Sequence, residues 1–180
     1  MIAAGHSGHF VQFFSNDAEW VRSVARFVKD GITADCTCVV VATAEHRARI
    51  AAHMNSLGLN AAALLASYQY IELDAVAMMN SFVHGNRLDP QQFHKAFNTL
   101  VRQASSRGEP VCIYGEMVNL LVERNQAEMA IELEELWNEL SRHHTFTLFC
   151  GYSDPALASV NHTRETFARI CATHSHVIAS

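Results

Sequence analysis

The sequence lacks any hydrophobic run long enough to cross a membrane. The apolar stretch from Cys38 to Ala42 is only a few residues long, whereas a membrane-spanning helix needs about 20 apolar residues. The first residues, MIAAGHSGHF, also lack the basic segment followed by an apolar one that marks a secretory signal peptide. We therefore expect a soluble, cytoplasmic protein.

Basic charge is scarce and is not concentrated in any one segment. The 180 residues include 13 Lys and Arg against 18 Asp and Glu, which gives a formal net charge of -5. A nucleic-acid-binding protein needs a basic patch that contacts phosphates. We therefore do not expect nucleic acid as a partner.

The sequence also lacks the motifs of nucleophilic catalysis. No Gly-x-Ser-x-Gly elbow occurs, and no cysteine begins a helix in a basic setting. The five cysteines are an odd number, and three of them lie in or beside strand-like segments, where cysteine behaves as a small apolar residue. Reduced thiols are the expected state.

A phosphate-binding loop is absent after the first predicted strand. The turn there contains Ser15, Asn16 and Asp17, without the successive glycines and the lysine that hold a nucleotide triphosphate. Asp17 and Glu19 would repel a triphosphate at this position. We therefore do not expect the chain to hydrolyse ATP.

The elements that are present alternate between strands and helices. Five apolar segments, HFVQFF, TCVVVAT, YQYIEL, VCIYGE and TFTLFCGY, predict β-strands, and Asn16 with Glu19 and Asn125 with Glu128 predict capped helix starts. Alternation of this kind predicts an α/β fold, a three-layer sandwich with a mostly parallel central sheet. No repeat or linker interrupts the pattern, so we expect a single domain over residues 1–180, with residues 1–8 flexible.

Glu116 directly follows the apolar strand VCIY and a glycine. Ligands of open parallel sheets bind beyond the carboxyl ends of the strands, so this side chain could bind a ligand amine, hold a metal with another carboxylate, or orient water. The alternative is a structural carboxylate stabilised at the start of a helix. The residues alone leave both interpretations open.

Two histidine pairs could chelate a metal ion. His6 with His9 and His174 with His176 each form such a pair, and His174 and His176, two residues apart, would share a face of a strand. Neither pair has a second partner at zinc-finger spacing. We therefore predict neither a metal nor a cofactor.

Several segments together resemble the MEDS domain, a sensory domain named for methanogens and methylotrophs. The most specific are YGEMVNLL and LEELWNEL, and HFVQFF, CVVVATAEHRARIAAHMNSLGL, FTLFCGY and ICATHSHV also match in order. The resemblance implies a relative of the RecA/KaiC-like ATPase fold without the P-loop, which senses small organic compounds, hydrocarbon derivatives among them. It also implies signalling partners such as a histidine kinase or a transcription regulator, within a two-component system for example.

The resemblance also identifies candidate ligand contacts. The motif positions are His9, Tyr114, Glu116, Glu134, Trp137 and His174. To these we add Phe13, as an aromatic residue of the first strand, and Tyr152, because it ends the fifth predicted strand.

Three hypotheses of function follow. The first is a non-enzymatic sensor that binds a small ligand or a partner protein around His9, Glu116 and Trp137. The second is an enzyme in which Glu116 acts as general base, with His9 or Glu134 nearby, on a nucleotide or small ester. The third is a pure interaction module, oligomeric or not, whose crevice is filled by aromatic side chains such as Phe13, Tyr114 and Trp137.

Overall fold

The computed structural model describes residues 7–160 and 163–178, and these residues form an alternating series of strands and helices. The strands are β1 (Gly8–Phe14), β2 (Thr37–Ala42), β3 (Tyr70–Asp74), β4 (Val83–His84), β5 (Arg87–Leu88), β6 (Val111–Gly115), β7 (Phe146–Ser153) and β8 (His176–Ile178). The helices are α1 (Asp17–Thr33), α2 (Ala44–Ser56), α3 (Ala61–Ala66), α4 (Ala75–Asn80), α5 (Pro90–Ala104), α6 (Met117–Glu123), α7 (Ala127–Ser141), α8 (Asp154–Ala158) and α9 (Thr163–Thr173). Of residues 1–8, which we expect to be flexible, residues 1–6 lie outside the described part, and Gly8 begins β1.

Six of the strands form one parallel sheet in the order β3-β2-β6-β7-β1-β8. Its central strands are near-continuous apolar runs, as expected for strands that are covered on both faces. The prediction of an α/β fold with a mostly parallel sheet is confirmed. The sheet has one strand more than predicted, because β8 pairs with Phe10–Gln12 of β1 at one edge.

Helices cover both faces of the sheet and complete the three-layer sandwich. Helices α1, α2 and α3 pack on the face that contains Cys38, Tyr114 and Phe149. Helices α4 to α9 pack on the opposite face, which contains Ile113 and Cys150. Side chains of successive strand residues alternate between these two faces, so the sheet separates two buried cores.

Side-chain caps start several of the helices. Asn16 Oδ1 accepts a hydrogen bond from Glu19 N at 3.0 Å, which confirms the predicted start of α1. The prediction that Asn125 caps the long helix α7 is wrong. Helix α7 begins at Ala127 after Gln126, without a side-chain cap, and Asn125 has a φ of 59°, in the left-handed region.

An aromatic cluster fixes helix α7 against α5 and the sheet. Trp137 is 1% exposed, and its ring centroid lies 4.4 Å from that of Phe97 and 5.2 Å from that of Phe93. The apolar stripe of α7 belongs to the same core, since Met129, Leu133, Leu136 and Leu140 are also buried.

All five cysteines are free in the structure, and four of them are buried. In residues 7–160 and 163–178, none of the helices combines the length and the apolar character that crossing a membrane requires.

Close packing of α1 on the sheet predicts that Gly31 does not tolerate a side chain. A Cβ atom at Gly31 would lie 2.5 Å from Cys38 Sγ. Overpacking of this kind lowers the free energy of unfolding by about 1–3 kcal/mol, whereas replacing glycine with alanine within a helix raises it by about 1 kcal/mol. We expect Gly31→Ala to lower the free energy of unfolding by up to about 2 kcal/mol in urea titrations. Gly115→Ala is the control, since nothing lies within 4 Å of a Cβ there; a stabilised Gly31→Ala variant would contradict the prediction.

Candidate functional site

A cluster of polar side chains is buried between β1, β7, α7 and the segment that follows α9. His9 projects from β1, Cys150 and Tyr152 from β7, Glu134 from α7, and His174 follows α9. His9, Cys150 and Tyr152 share one face of the sheet, because His9 is in register with Leu148 and the side chains alternate along each strand. We call these five residues the buried cluster.

Glu134 is the centre of the buried cluster. It is 0% exposed, and its Oε1 accepts a hydrogen bond from Tyr152 OH at 2.7 Å. His9 Nε2 lies 3.1 Å from Glu134 Oε2 and 3.4 Å from Cys150 Sγ, while Cys150 Sγ lies 3.4 Å from Glu134 Oε2. His174 Nε2 lies 3.3 Å from Glu134 Oε1. A buried carboxylate is thus surrounded by groups that can neutralise or solvate its charge.

The outer nitrogens of both imidazoles are held by hydrogen-bond acceptors. Asn138 donates through Nδ2 to the Thr173 carbonyl at 2.8 Å, so its Oδ1 faces His9 Nδ1 at 3.0 Å. His174 Nδ1 lies 2.6 Å from the carbonyl oxygen of Ile170. The Thr173 hydroxyl, 3.1 Å from the same nitrogen, donates its own proton to Ile170 O. Each Nδ1 atom therefore carries a proton, and both Nε2 atoms point to Glu134.

The charges of this cluster depend on one another. Burial alone would raise the pKa of Glu134, but the positive charge of His174 and hydrogen bonds from the imidazoles lower it below its usual value. Burial would lower the pKa of His174, but the Glu134 charge and the Ile170 carbonyl raise it. Burial, followed by the Glu134 charge, raises the pKa of the Cys150 thiol and of the Tyr152 phenol. These shifts favour an ionised Glu134, to which the Cys150 thiol and the Tyr152 phenol donate hydrogen bonds.

A cleft of about 430 Å³ opens beside the buried cluster. It lies at the amino-terminal ends of β1 and β7, and its lining residues include Gly8, His9, Trp137, Asn138, Ser141, His144, Thr145, Phe146, Leu148 and His174. His9 and His174 belong to both the cleft wall and the buried cluster. A molecule in the cleft would therefore contact the two imidazoles that lie against Glu134.

Glu116 forms a second polar group, at the carboxyl end of β6. Its side chain is 3% exposed. Glu116 Oε2 accepts from Thr43 N at 3.1 Å, and Oε1 lies 3.4 Å from Thr43 Oγ1 and 3.0 Å from His46 Nδ1. Both carboxylate oxygens thus join β6 to the start of α2, which leaves the group poorly placed to act on a substrate.

The sheet divides the sequence-predicted site residues into two groups. Four of them, His9, Glu134, Tyr152 and His174, lie in the buried cluster, and Trp137 lines the adjoining cleft. Phe13 stacks on Tyr152 with a centroid separation of 5.9 Å. Tyr114 lies on the opposite face, where its hydroxyl accepts from Trp20 Nε1, and Glu116 contacts α2 on that side. The structure therefore does not bring His9 and Glu116 into one site.

Sequence reasoning missed two contributors to the buried cluster. Cys150 was interpreted as a small apolar residue, and Asn138, on the helix that contains Glu134, was not considered. The spacing of two between Cys150 and Tyr152 is the signal that could have revealed Cys150, because it places both side chains on one face of β7.

The contact between His46 and Glu116 predicts a pH-dependent contribution to stability. Hydrogen bonding to Glu116 raises the pKa of His46 against the opposing effect of burial; Asp17 adds to the rise and Arg49 reduces it. The contact stabilises the folded state fully at pH values below the pKa of histidine in the unfolded chain, which is about 6.5. This stabilisation is lost as pH rises through the raised pKa of His46 in the folded state.

We expect the free energy of unfolding to fall less between about pH 6 and pH 9 in Glu116→Gln than in the unmodified protein. Urea titrations across this range measure the difference in slope. His53→Gln, on the same helix, is the control and should keep the unmodified slope. Equal slopes in Glu116→Gln and the unmodified protein would show that the contact does not contribute.

The comparison with protein families covers most of the chain. A family model described as the methanogen/methylotroph, DcmR sensory domain (MEDS) matches residues 8–175, which include every residue of the buried cluster. No curated protein matches the chain. The chain belongs to the MEDS family of sensory domains.

Proposed function

We propose that this domain is a non-enzymatic signalling sensor that binds a small organic molecule in the cleft beside the buried cluster. The observation that supports the proposal most directly is the position of the cleft. Its wall contains His9 and His174, and both imidazoles contact the fully buried carboxylate of Glu134. A ligand there would alter the balance of charges that holds four parts of the chain together.

The lining of the cleft suits a small amphipathic compound. Its volume of about 430 Å³ is within the range typical of ligand pockets. Trp137, Phe146 and Leu148 supply apolar surface, while Ser141 and His144 supply hydrogen-bonding groups. Neither lysine nor arginine lines the cleft in the described part of the chain, which favours an uncharged ligand over a phosphorylated one.

A route for the signal runs from the cleft to the edge of the sheet. The Ser175 hydroxyl, at the cleft, accepts from His9 N and donates to His9 O, both at 2.9 Å. The next three residues form edge strand β8, in which Val177 is 51% exposed. Ligand binding would thus be transmitted to an accessible strand, where a partner such as a histidine kinase or a transcription regulator could dock.

We further propose that the domain is a RecA/KaiC-like fold that has lost its phosphate loop. The parallel sheet with β1 in its interior supports this relationship, since the turn after β1 is where a phosphate loop would lie. That turn is instead closed by Ser15 and Asn16, and Ser15 donates to Glu19 Oε2 at 3.0 Å.

An enzymatic role has weaker support. Glu134 is fully buried, and both oxygens of Glu116 are engaged by Thr43 and His46. A general base must reach the proton that it abstracts, and neither carboxylate is placed to do so. A pure interaction module is also less favoured, because Tyr114 lies across the sheet from Phe13 and Trp137, so these side chains do not fill one crevice together.

A cleft-filling substitution tests the proposal. Thr145 lines the cleft but does not belong to the buried cluster, so Thr145→Phe should obstruct a ligand without removing a cluster group. Thr33→Phe is the matched control, since Thr33 is exposed at the end of α1 on the opposite face of the sheet. Native mass spectrometry and calorimetry would be applied with short-chain alcohols, haloalkanes and carboxylic acids, and with ATP and magnesium.

We expect at least one organic compound to bind the unmodified protein and Thr33→Phe equally, and Thr145→Phe about tenfold or more weakly. Equal binding by Thr145→Phe would place the ligand elsewhere. Binding of ATP with magnesium, but of no organic compound, would contradict the sensor proposal.

A further inference from the structure

We infer that His9, Glu134, Cys150 and His174 bind a divalent transition-metal ion of the zinc class through Nε2, a carboxylate oxygen, Sγ and Nε2 respectively. Their donor atoms all lie within 4.8 Å of one another. Nitrogen and thiolate ligands with one carboxylate are the donors that zinc prefers. This inference revises the sequence-based expectation of no metal.

The distances between three of the donor atoms are close to those of a tetrahedral site. His9 Nε2 to Glu134 Oε2 is 3.1 Å, and His9 Nε2 to Cys150 Sγ and Cys150 Sγ to Glu134 Oε2 are each 3.4 Å. In a tetrahedron built with zinc bond lengths of about 2.0–2.3 Å, the ligand atoms are about 3.3–3.8 Å apart. Small side-chain movements would therefore place these three donors around one ion.

The orientation of the imidazoles is that of metal ligands. Their Nδ1 atoms donate to Asn138 Oδ1 and to the Ile170 carbonyl, so each neutral ring presents the lone pair of Nε2 to the interior of the cluster. An outer-shell acceptor that fixes the ring in this way is the usual companion of a metal-bound histidine. Within the described residues, the buried His174 Nε2 has the Glu134 Oε1 contact at 3.3 Å and no other partner.

Charge balance also favours a cation. The lone pairs of two neutral imidazoles would face a carboxylate in a region closed to water, which is an unfavourable arrangement. A divalent ion would remove the Cys150 proton on binding, and the thiolate together with Glu134 would neutralise both positive charges of the ion. The Tyr152 hydroxyl, 2.7 Å from Glu134 Oε1, would then orient the ligating carboxylate as an outer-shell donor.

The competing arrangement is a metal-free ion pair. There, protonated imidazoles would neutralise Glu134, and Cys150 would remain a thiol. The two arrangements differ in a measurable property, because only the metal site contains a thiolate bound to a metal ion.

Four protein ligands would make the metal centre a closed, structural one. The ion would join β1 to α7, β7 and the segment after α9. The inference does not rest on ligand binding in the cleft, and Thr145→Phe should leave metal binding intact. The two proposals can therefore fail separately.

The test uses the full chain without an affinity tag, stripped with a chelator and titrated with Co²⁺ or Zn²⁺. We expect one equivalent of either ion to bind tightly, with a thiolate-to-cobalt charge-transfer band for Co²⁺ and a raised midpoint of thermal unfolding for Zn²⁺. X-ray absorption of the zinc-loaded protein should show one sulfur and three nitrogen or oxygen ligands.

Cys150→Ser should lose the charge-transfer band and bind Co²⁺ at least tenfold more weakly. Cys171→Ser is the matched control, because Cys171 lies outside the buried cluster and is only partly buried, and it should behave as the unmodified protein. If Cys150→Ser does not fold, the number of sulfur ligands that X-ray absorption finds in the unmodified, zinc-loaded protein still decides whether Cys150 binds the ion. The absence of stoichiometric binding, a first shell without sulfur, or a band that persists in Cys150→Ser would overturn the inference.

Discussion

The organisation of the domain depends on the buried charge of Glu134. A carboxylate with no solvent exposure is stable only where other groups replace the hydration that it has lost. His9 supplies such a group from β1, Cys150 and Tyr152 from β7, and His174 from the segment after α9. The fold must therefore bring β1 and the segment after α9 to the same place, and the strand order β7-β1-β8 does so.

The sheet separates this charge from the second buried carboxylate. Glu116 is satisfied by Thr43 and His46 at the carboxyl edge, while Glu134 is satisfied beneath the other face. Each carboxylate stabilises a different junction, β6 with α2 in one case and β1 with α7 in the other. The second junction borders a cleft whose wall includes His9 and His174, two members of the charged network.

Much of the fold could be predicted from the sequence, because buried parallel strands such as β2 and β7 are continuous apolar runs with strong periodic helices between them. Strand β8 could not be predicted, since its three residues are stabilised by pairing with β1 rather than by their own pattern. The resemblance to MEDS domains named His9, Glu134 and His174 individually. Their assembly with Cys150 depends on strand order and on side-chain direction, which residue spacing does not encode. Because this information is missing from the sequence pattern, the prediction groups Glu116 with His9 in one site.

The long sequence separations within the buried cluster have a consequence for folding. His9 contacts Asn138, which is 129 residues away, and Ser175, which is 166 residues away. Strands β2 and β3 and the helices between them can pair early, but β1 cannot complete its pairing until β7 and β8 have been synthesised. The cleft and the cluster therefore cannot form before these strands have been synthesised, and a nascent chain would expose the apolar face of β1 until then.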